Sequence, residues 1–155
     1  MPQDRDFGSD LNGLIELMSE AASAFIGGRM RRYFELMKHT DDFTLMPPTG
    51  GDTIRGSDAN DEVIADMERF FRGGEAKLEV IQTYASGDLA VLVAVERQRG
   101  EVGNYPPQDW SLRVTLVFRR EESAWRLAHR HADALVHPIT FDQLSDLARG
   151  PDLPA

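Results

Sequence analysis

The feature that most constrains the fold of this chain is a change in its hydrophobic period near residue 75. Before that point, apolar residues recur at spacings of three and four, which is typical of amphipathic helices. After it, apolar and polar residues alternate, as in strands that bury one face. Helices followed by strands with tight turns predict an α+β domain, with the helices gathered on one face of an antiparallel sheet.

Three helices are predicted in the first half of the chain, with a short strand over 43–46 that returns over 53–55. The second helix repeats apolar residues so that Tyr33 lies on its buried face. Glycine pairs are expected to end two of the helices, because glycine adopts the left-handed C-cap conformation at low cost. The predicted helices run from Ser9 or Asp10 to Gly27-Gly28, from Met30 to Met37, and from Ser57 or Asp58 to Gly73-Gly74.

Four long strands are predicted in the second half, over 75–84, 89–95, 111–119 and 125–133, with a polar connection over 100–107. Residues Leu89 to Val95 are apolar at odd and even positions alike, which predicts that both faces of that strand are buried. Since the helices cover one side only, the second cover is expected to be another copy of the same sheet. The sequence therefore predicts a symmetric homodimer.

The domain limits follow from the same pattern. Thr140 and Gln143 match a capping box, which predicts a last short helix. A length of 155 residues suits one domain. We expect a mobile tail over 1–9, a single domain over 10–149 and a C-terminal tail over 150–155.

Composition excludes several classes of function. The chain has no cysteine, so disulfides and thiolate metal sites are excluded. Its net charge of −9 opposes binding to nucleic acid or to an anionic membrane. No stretch resembles a membrane span or a signal peptide. We therefore expect a cytoplasmic protein with no nucleic-acid partner and no membrane partner.

The run from Leu112 to Glu121, followed by Trp125 to Asp133, contains the pattern R-x-T-x-x-F-R-R and then W-x-x-x-H-x-H. This ending resembles SnoaL-like proteins of the nuclear-transport-factor-2-like (NTF2-like) superfamily, and also the association domain of calcium/calmodulin-dependent kinase II. Ketosteroid isomerase and scytalone dehydratase belong to the same superfamily. The resemblance implies a curved antiparallel sheet that forms a cone, with three N-terminal helices packed on its concave face.

The sequence departs from the best-known sites of that superfamily. Ketosteroid isomerases carry a carboxylate base at the end of the first strand, where this chain has Met46-Pro47. The positions that match their oxyanion hole are Ala21 and Thr115. The pocket arginines of the kinase association domain align with Val93, Thr115 and Ala132. The isomerase mechanism is therefore not expected here, and neither is the anion site of the kinase association domain.

One candidate site consists of His129, His131 and Asp133, which alternate along the last strand and so share a face. They suit general acid–base chemistry, with Asp133 turned inward as the base and His131 assisting it. They also suit a metal site. Alternatively, the histidines lie on the outer face with Trp125 and Leu127, packed in a dimer interface. Our prediction assigns Asp133 and His131 as catalytic and expects no metal and no cofactor.

A second candidate site consists of Arg113, Thr115 and Arg130. The alignment to the family points these side chains into the cone, where two arginines could hold a carboxylate or an enolate oxygen. The alternative is that the arginines pair with acidic residues such as Glu96 or Asp109.

Aromatic residues with a polar tip are candidate pocket walls. These are Tyr33, Tyr84, Tyr105 and Trp110, although helical spacing alone also explains Tyr33 as a core residue. Asn60 aligns with a pocket histidine of the kinase association domain, and it also suits the start of a helix.

Three classes of function remain open from the sequence. The first is an enzyme, namely a metal-free isomerase, cyclase or dehydratase that acts by proton transfer. The second is a non-catalytic dimer that binds a small molecule, and the third is a scaffold. The predicted ligand is small and apolar, with one anionic or carbonyl oxygen.

Overall fold

The computed structural model describes residues 7–56 and 60–151. In chain order, the elements are α1 (Phe7–Ile26), α2 (Met30–Leu36), β1 (His39–Met46), β2 (Ile54–Arg55), α3 (Asp61–Phe70), β3 (Phe71–Ser86), β4 (Leu89–Val102), β5 (Gln108–Asp109), β6 (Leu112–Glu121), β7 (Ala124–Asp133) and α4 (Phe141–Arg149).

The strands form one curved sheet in the order β2-β1-β7-β6-β4-β3, with β5 paired to β4. All pairings are antiparallel except that of β1 with β7. Helix α1 packs on β3 and β4, and α2 packs on α1. The core between helices and sheet includes Met18, Leu92, Leu116 and Phe118, each at most 1% exposed. The predicted α+β fold with a cone-shaped sheet is confirmed.

Several predicted boundaries can be compared with the structure. Helix α1 begins at Phe7, and residues 1–6 and 152–155 of the predicted tails lie outside the described residues. The predicted caps Ser57 and Asp58 also lie outside them. Asn60 caps α3, because its Oδ1 accepts a hydrogen bond from the Val63 backbone N–H at 2.9 Å. The capping box at the start of α4 is confirmed.

The prediction that Gly73-Gly74 ends the third helix is wrong, because α3 ends at Phe70 and both glycines lie in β3. Gly74 pairs with Gly100 of β4, which therefore extends into the segment predicted as a connection. A Cβ at Gly74 would lie 2.5 Å from the Arg99 carbonyl oxygen and 3.2 Å from Ile26. The glycines thus allow α1 and the two strands to approach closely.

The predicted assignment of faces on β6 is also wrong. Because Arg113 and Thr115 were expected inside the cone, Val114, Leu116 and Phe118 were expected on the outer side, yet they are at most 3% exposed and pack in the core with the helices. Leu127, which the alternative interpretation placed on the outer face, is fully buried. The cause of that second difference is a bulge in β7 at residue 128, because Val117 pairs with His129 whereas Phe118 pairs with Leu127. One extra residue reverses the side on which the preceding side chains lie.

The opposite side of the sheet, which we call the outer face, is covered by no described element. It consists of Thr44 and Met46 from β1, His129 and His131 from β7, Thr115 and Val117 from β6, and Val91 and Val93 from β4. Along Leu89 to Val95, the residues of this face are half-buried or exposed in the single chain, so the second cover predicted for this strand does not come from the chain's own described elements. No helix among the described residues is long and apolar enough to cross a membrane.

Gly28 is expected to be the least replaceable of the helix-ending glycines. Its φ is +75°, and a Cβ there would lie 2.1 Å from the Phe71 carbonyl oxygen. We expect Gly28→Ala to lower the free energy of unfolding by about 1–3 kcal/mol. Gly13 in α1 is the matched control, because a Cβ at that position would meet nothing within 4 Å. Gly13→Ala should stabilise by about 0.5–1 kcal/mol. Urea denaturation of both variants tests this, and equal effects would contradict it.

Candidate functional site

A cavity of about 300 Å³ lies inside the cone, between the helices and the inner face of the sheet. Most of its wall is apolar, and four side chains contribute polar groups: Tyr33, His39, Glu96 and Arg130. The rest of the lining is Met18, Ala22, Phe25, Phe34, Phe43, Leu45, Ile54, Gly56, Val63 and Met67. Such a wall, with a few convergent polar groups, is typical of small-molecule sites.

Glu96 and Arg130 form a buried ion pair in this wall. Two parallel hydrogen bonds of 2.9 Å join the guanidinium to the two carboxylate oxygens. The side chains are 4% and 17% exposed, respectively. Burial is the largest single influence and would lower the pKa of Arg130, but the charge and hydrogen bonds of Glu96, together with Tyr33, outweigh it, so the net direction of the pKa is upward. Of the two alternatives for Arg130, the structure therefore shows the pairing with Glu96.

Tyr33 and His39 form the second polar pair. The Tyr33 hydroxyl lies 2.9 Å from His39 Nε2, at hydrogen-bond distance. The imidazole stacks on Phe43 with ring centroids 4.1 Å apart, and it meets the edge of Phe34 at 6.0 Å. The aromatic neighbours fix the orientation of the imidazole and exclude water from it.

Burial and charge keep both members of this pair uncharged at neutral pH. Burial is the main cause that raises the pKa of Tyr33 to about 12, although Arg130 opposes it. Burial, followed by the positive charge of Arg130, lowers the pKa of His39 to about 4. At pH 7 the cavity therefore holds a neutral phenol, a neutral imidazole and an internally neutralised ion pair.

The sequence from residue 14 to residue 136 matches the family model of the SnoaL-like domain. The chain belongs to the SnoaL-like family. No curated protein matches it significantly.

Solved structures of similar fold agree with this assignment. An NTF2-like superfamily protein from Salmonella enterica is 17% identical with a TM-score of 0.65, over 81% of this chain and 91% of that chain. A candidate dehydratase of the NTF2-like family from Streptomyces avermitilis is 19% identical with a TM-score of 0.61, over 85% of this chain and 99% of that chain. The association domain of CaMKII from C. elegans is 14% identical with a TM-score of 0.56, over 81% of this chain and 96% of that chain. At these identities the likeness shows the fold alone.

The predicted arginine site is not assembled in this SnoaL-like protein. Arg113 and Thr115 were expected inside the cone with Arg130, but only Arg130 lies there. Thr115 pairs with His131, whereas Leu116 pairs with Arg130. Directly paired residues share a face, so Arg113 and Thr115 lie on the side of the sheet away from the cavity.

The predicted catalytic pair also lies on that side. His131 is exposed, and the Asp133 side chain is 38% exposed. Arg113 donates two hydrogen bonds of 2.8 Å to the Asp133 carboxylate, and this is the main cause that lowers the pKa of Asp133. The prediction that Asp133 turns inward as the base is therefore wrong.

The alternative interpretation placed His129 and His131 on the outer face, and the structure agrees on these two residues, whereas Leu127 lies in the core. His129 Nδ1 lies 2.8 Å from the Thr44 hydroxyl, and the two histidine rings are 6.4 Å apart. Within residues 7–56 and 60–151, no three His, Asp or Glu side chains are arranged to hold a metal ion.

Among the predicted wall residues, Tyr33 alone lines the cavity. Trp110 does not line the cavity, and its indole N–H donates a hydrogen bond to the Gly100 carbonyl at 3.2 Å. Tyr84 and Tyr105 are 58% and 59% exposed. The Asn60 side chain accepts the capping hydrogen bond of α3. Asn60 therefore has a structural role here.

Sequence reasoning missed His39 and considered Glu96 only as a partner for arginine. The comparison with ketosteroid isomerases directed attention to the end of β1, whereas His39 is its first residue. One signal was available: a histidine six residues after the buried Tyr33, just beyond a short helix. Glu96 follows seven apolar residues of β4 and shares a strand face with Leu92 and Ala94. This pattern is also a recognisable signal for a buried acid.

Proposed function

We propose that this SnoaL-like protein binds a small, mainly apolar carbonyl compound in the cone cavity and catalyses proton transfer on it, with His39 as the base. The observation that carries the proposal is the hydrogen-bonded Tyr33–His39 pair in a mainly apolar pocket that also contains the Glu96–Arg130 ion pair. A general base must be uncharged at the working pH, and burial keeps His39 uncharged by lowering its pKa to about 4, which also makes it a weaker base than a free imidazole.

The hydrogen bond to Tyr33 also defines how His39 would act. Within the described residues, His39 Nδ1 is buried and has no hydrogen-bond partner. When the Tyr33 oxygen accepts a hydrogen bond from Nε2–H, Nδ1 carries the free lone pair of the ring. Tyr33 then acts as a positioning residue, since it selects the tautomer and holds the ring. Stacking on Phe43 supports the same orientation.

The reaction class follows from the groups present. A base in an apolar cavity suits abstraction of a proton next to a carbonyl, as in an isomerase, a cyclase or a dehydratase. The candidate dehydratase among the similar structures supports this class. A non-catalytic binding protein is the alternative.

Exchange of C–H protons for deuterium tests the proposal without knowledge of the natural substrate. Acetophenone and 1-tetralone would be incubated with the protein in D₂O at pH 7, and loss of the α-proton signal followed by NMR. We expect catalysed exchange that His39→Asn lowers by about 100-fold or more, the range typical of a lost general base.

Asp133→Asn is the matched comparison, because it removes the carboxylate that the sequence favoured. We expect this variant to retain the wild-type exchange rate, since Asp133 lies on the other side of the sheet from the cavity. Loss of exchange in Asp133→Asn with full activity in His39→Asn would overturn the assignment. Binding of both ketones without any exchange would favour the non-catalytic alternative.

We also propose that two copies of the chain associate through the outer face. Its centre contains Val91, Val93, Val117 and Thr115, and ion pairs such as Arg113–Asp133 and Arg97–Glu79 lie around it. An apolar centre with a polar rim is typical of protein interfaces. The association domain of CaMKII among the similar structures supports this proposal.

Light scattering tests the association. We expect about twice the chain mass of 17.4 kDa at micromolar concentration. Val93→Asp should produce monomers, because it would place a carboxylate in the centre of a desolvated interface. Leu147→Asp on the exposed helix α4 is the control and should leave the mass unchanged. A wild-type mass of one chain would refute the proposal.

A further inference from the structure

We propose that Glu96 makes the cone cavity selective for uncharged carbonyl compounds, because it cancels the charge of Arg130 while leaving some of its N–H groups free to bind a carbonyl oxygen. This inference rests on the proposed function and adds the charge class of its ligand. It assigns to Glu96 the role of a residue that determines specificity through Arg130.

The hydrogen-bond inventory of the pair supports this role. A guanidinium has five N–H donors and no acceptor. The bonds to Glu96 use one N–H on each terminal nitrogen, and Arg130 makes no other side-chain hydrogen bond to the described residues. About three donors therefore remain for a ligand. Since Arg130 lines the cavity, a carbonyl oxygen placed there could accept from them.

The charge balance of the cavity determines which ligand is favoured. Glu96 and Arg130 are the only Lys, Arg, Asp or Glu side chains in the described lining, so its net charge is zero. A carboxylate entering the cavity would lose its hydration and would meet the negative charge of Glu96 as well as the positive charge of Arg130. A ketone has much less hydration to lose and can still accept hydrogen bonds. The cavity should therefore bind the ketone more tightly.

A purely structural role for the pair makes a different prediction. If the pair only stabilises the fold, replacing Glu96 would change stability without altering the preference between ligands of different charge. If Glu96 determines specificity, its replacement leaves the positive charge of Arg130 uncompensated and shifts the preference toward anions. The ratio of two affinities therefore separates the two roles.

Acetophenone and benzoate are suitable probes, because they have the same number of non-hydrogen atoms and differ in charge. Their affinities would be measured by NMR titration at pH 7 for the wild-type protein and for Glu96→Gln. We expect the wild-type protein to bind acetophenone at least about tenfold more tightly. In Glu96→Gln we expect the ratio to move toward benzoate by at least about tenfold, the size of a charge-assisted hydrogen bond.

Glu79→Gln is the matched control, since it removes the same charge from an exposed pair with Arg97 and should leave the ratio unchanged. A wild-type protein that prefers benzoate would overturn the inference while cavity binding stands, and so would an unchanged ratio in a folded Glu96→Gln variant. Binding of neither probe to the wild-type protein would overturn the proposed function together with the inference. If Glu96→Gln does not fold, the wild-type ratio decides alone.

Discussion

Replacing Arg130 by methionine is expected to lower the free energy of unfolding by about 3–5 kcal/mol. The reason is the state in which the variant leaves Glu96, whose side chain is 4% exposed. Without the guanidinium, a carboxylate remains in an apolar wall with neither hydration nor a countercharge. Chemical denaturation monitored by tryptophan fluorescence measures the loss.

The double variant Glu96→Leu/Arg130→Met separates this effect from ordinary packing. Replacing both partners of a buried ion pair by apolar residues is often neutral or stabilising. We therefore expect the double variant to be clearly more stable than Arg130→Met alone. The exposed pair Arg97–Glu79 is the control, and Arg97→Met should cost no more than about 1 kcal/mol. A double variant as unstable as Arg130→Met would show that packing of the arginine, and not its charge, matters.

The second large effect concerns pH. The pKa of His39 is lowered from 6.5 to about 4, first by burial and then by Arg130. As the pH falls from 6.5 to 4, the unfolded chain binds a proton at this residue while the folded protein does not. The free energy of unfolding should therefore decrease over that range, by at most about 3 kcal/mol, and level off below it.

Melting temperatures recorded between pH 4 and pH 8 test this expectation. His39→Phe should remove the His39 part of the slope, because phenylalanine preserves the aromatic packing and does not titrate. His137→Gln, at an exposed position, should keep the wild-type slope. Asp42 contributes to the pH dependence of stability only at more acidic pH, because its pKa is lowered to about 2, mainly by the hydrogen bond from Arg119. Parallel curves for the wild-type protein and His39→Phe would contradict the prediction.

The fold could be predicted from the sequence more completely than the site. The fold class was predictable because each element carries its own local signal. Alternation marked β6 and β7, and the Thr140–Gln143 capping box marked α4. The ending R-x-T-x-x-F-R-R and W-x-x-x-H-x-H was sufficient to indicate the SnoaL-like family, which the match over residues 14–136 confirms.

The site was harder to predict because it depends on which side of the sheet each side chain occupies. Alternation shows that Arg113 and Thr115 share a face, but it does not show whether Arg130 shares it too. That depends on the register between the two strands, in which Leu116, and not Thr115, pairs with Arg130. A shift of one residue exchanges the two faces of a strand, so a small error in register moved the predicted site to the opposite side.

The amino-acid sequence by itself therefore determined the elements, their order and the family, because helix periods, strand alternation and caps are properties of neighbouring residues. Only the tertiary structure decided that Tyr33, His39, Glu96 and Arg130 meet in one cavity, since they come from α2, β1, β4 and β7. It also decided their chemistry. The lowered pKa of His39 and the neutralised charge of Arg130 arise from burial and from partners distant in the chain, which no local pattern encodes.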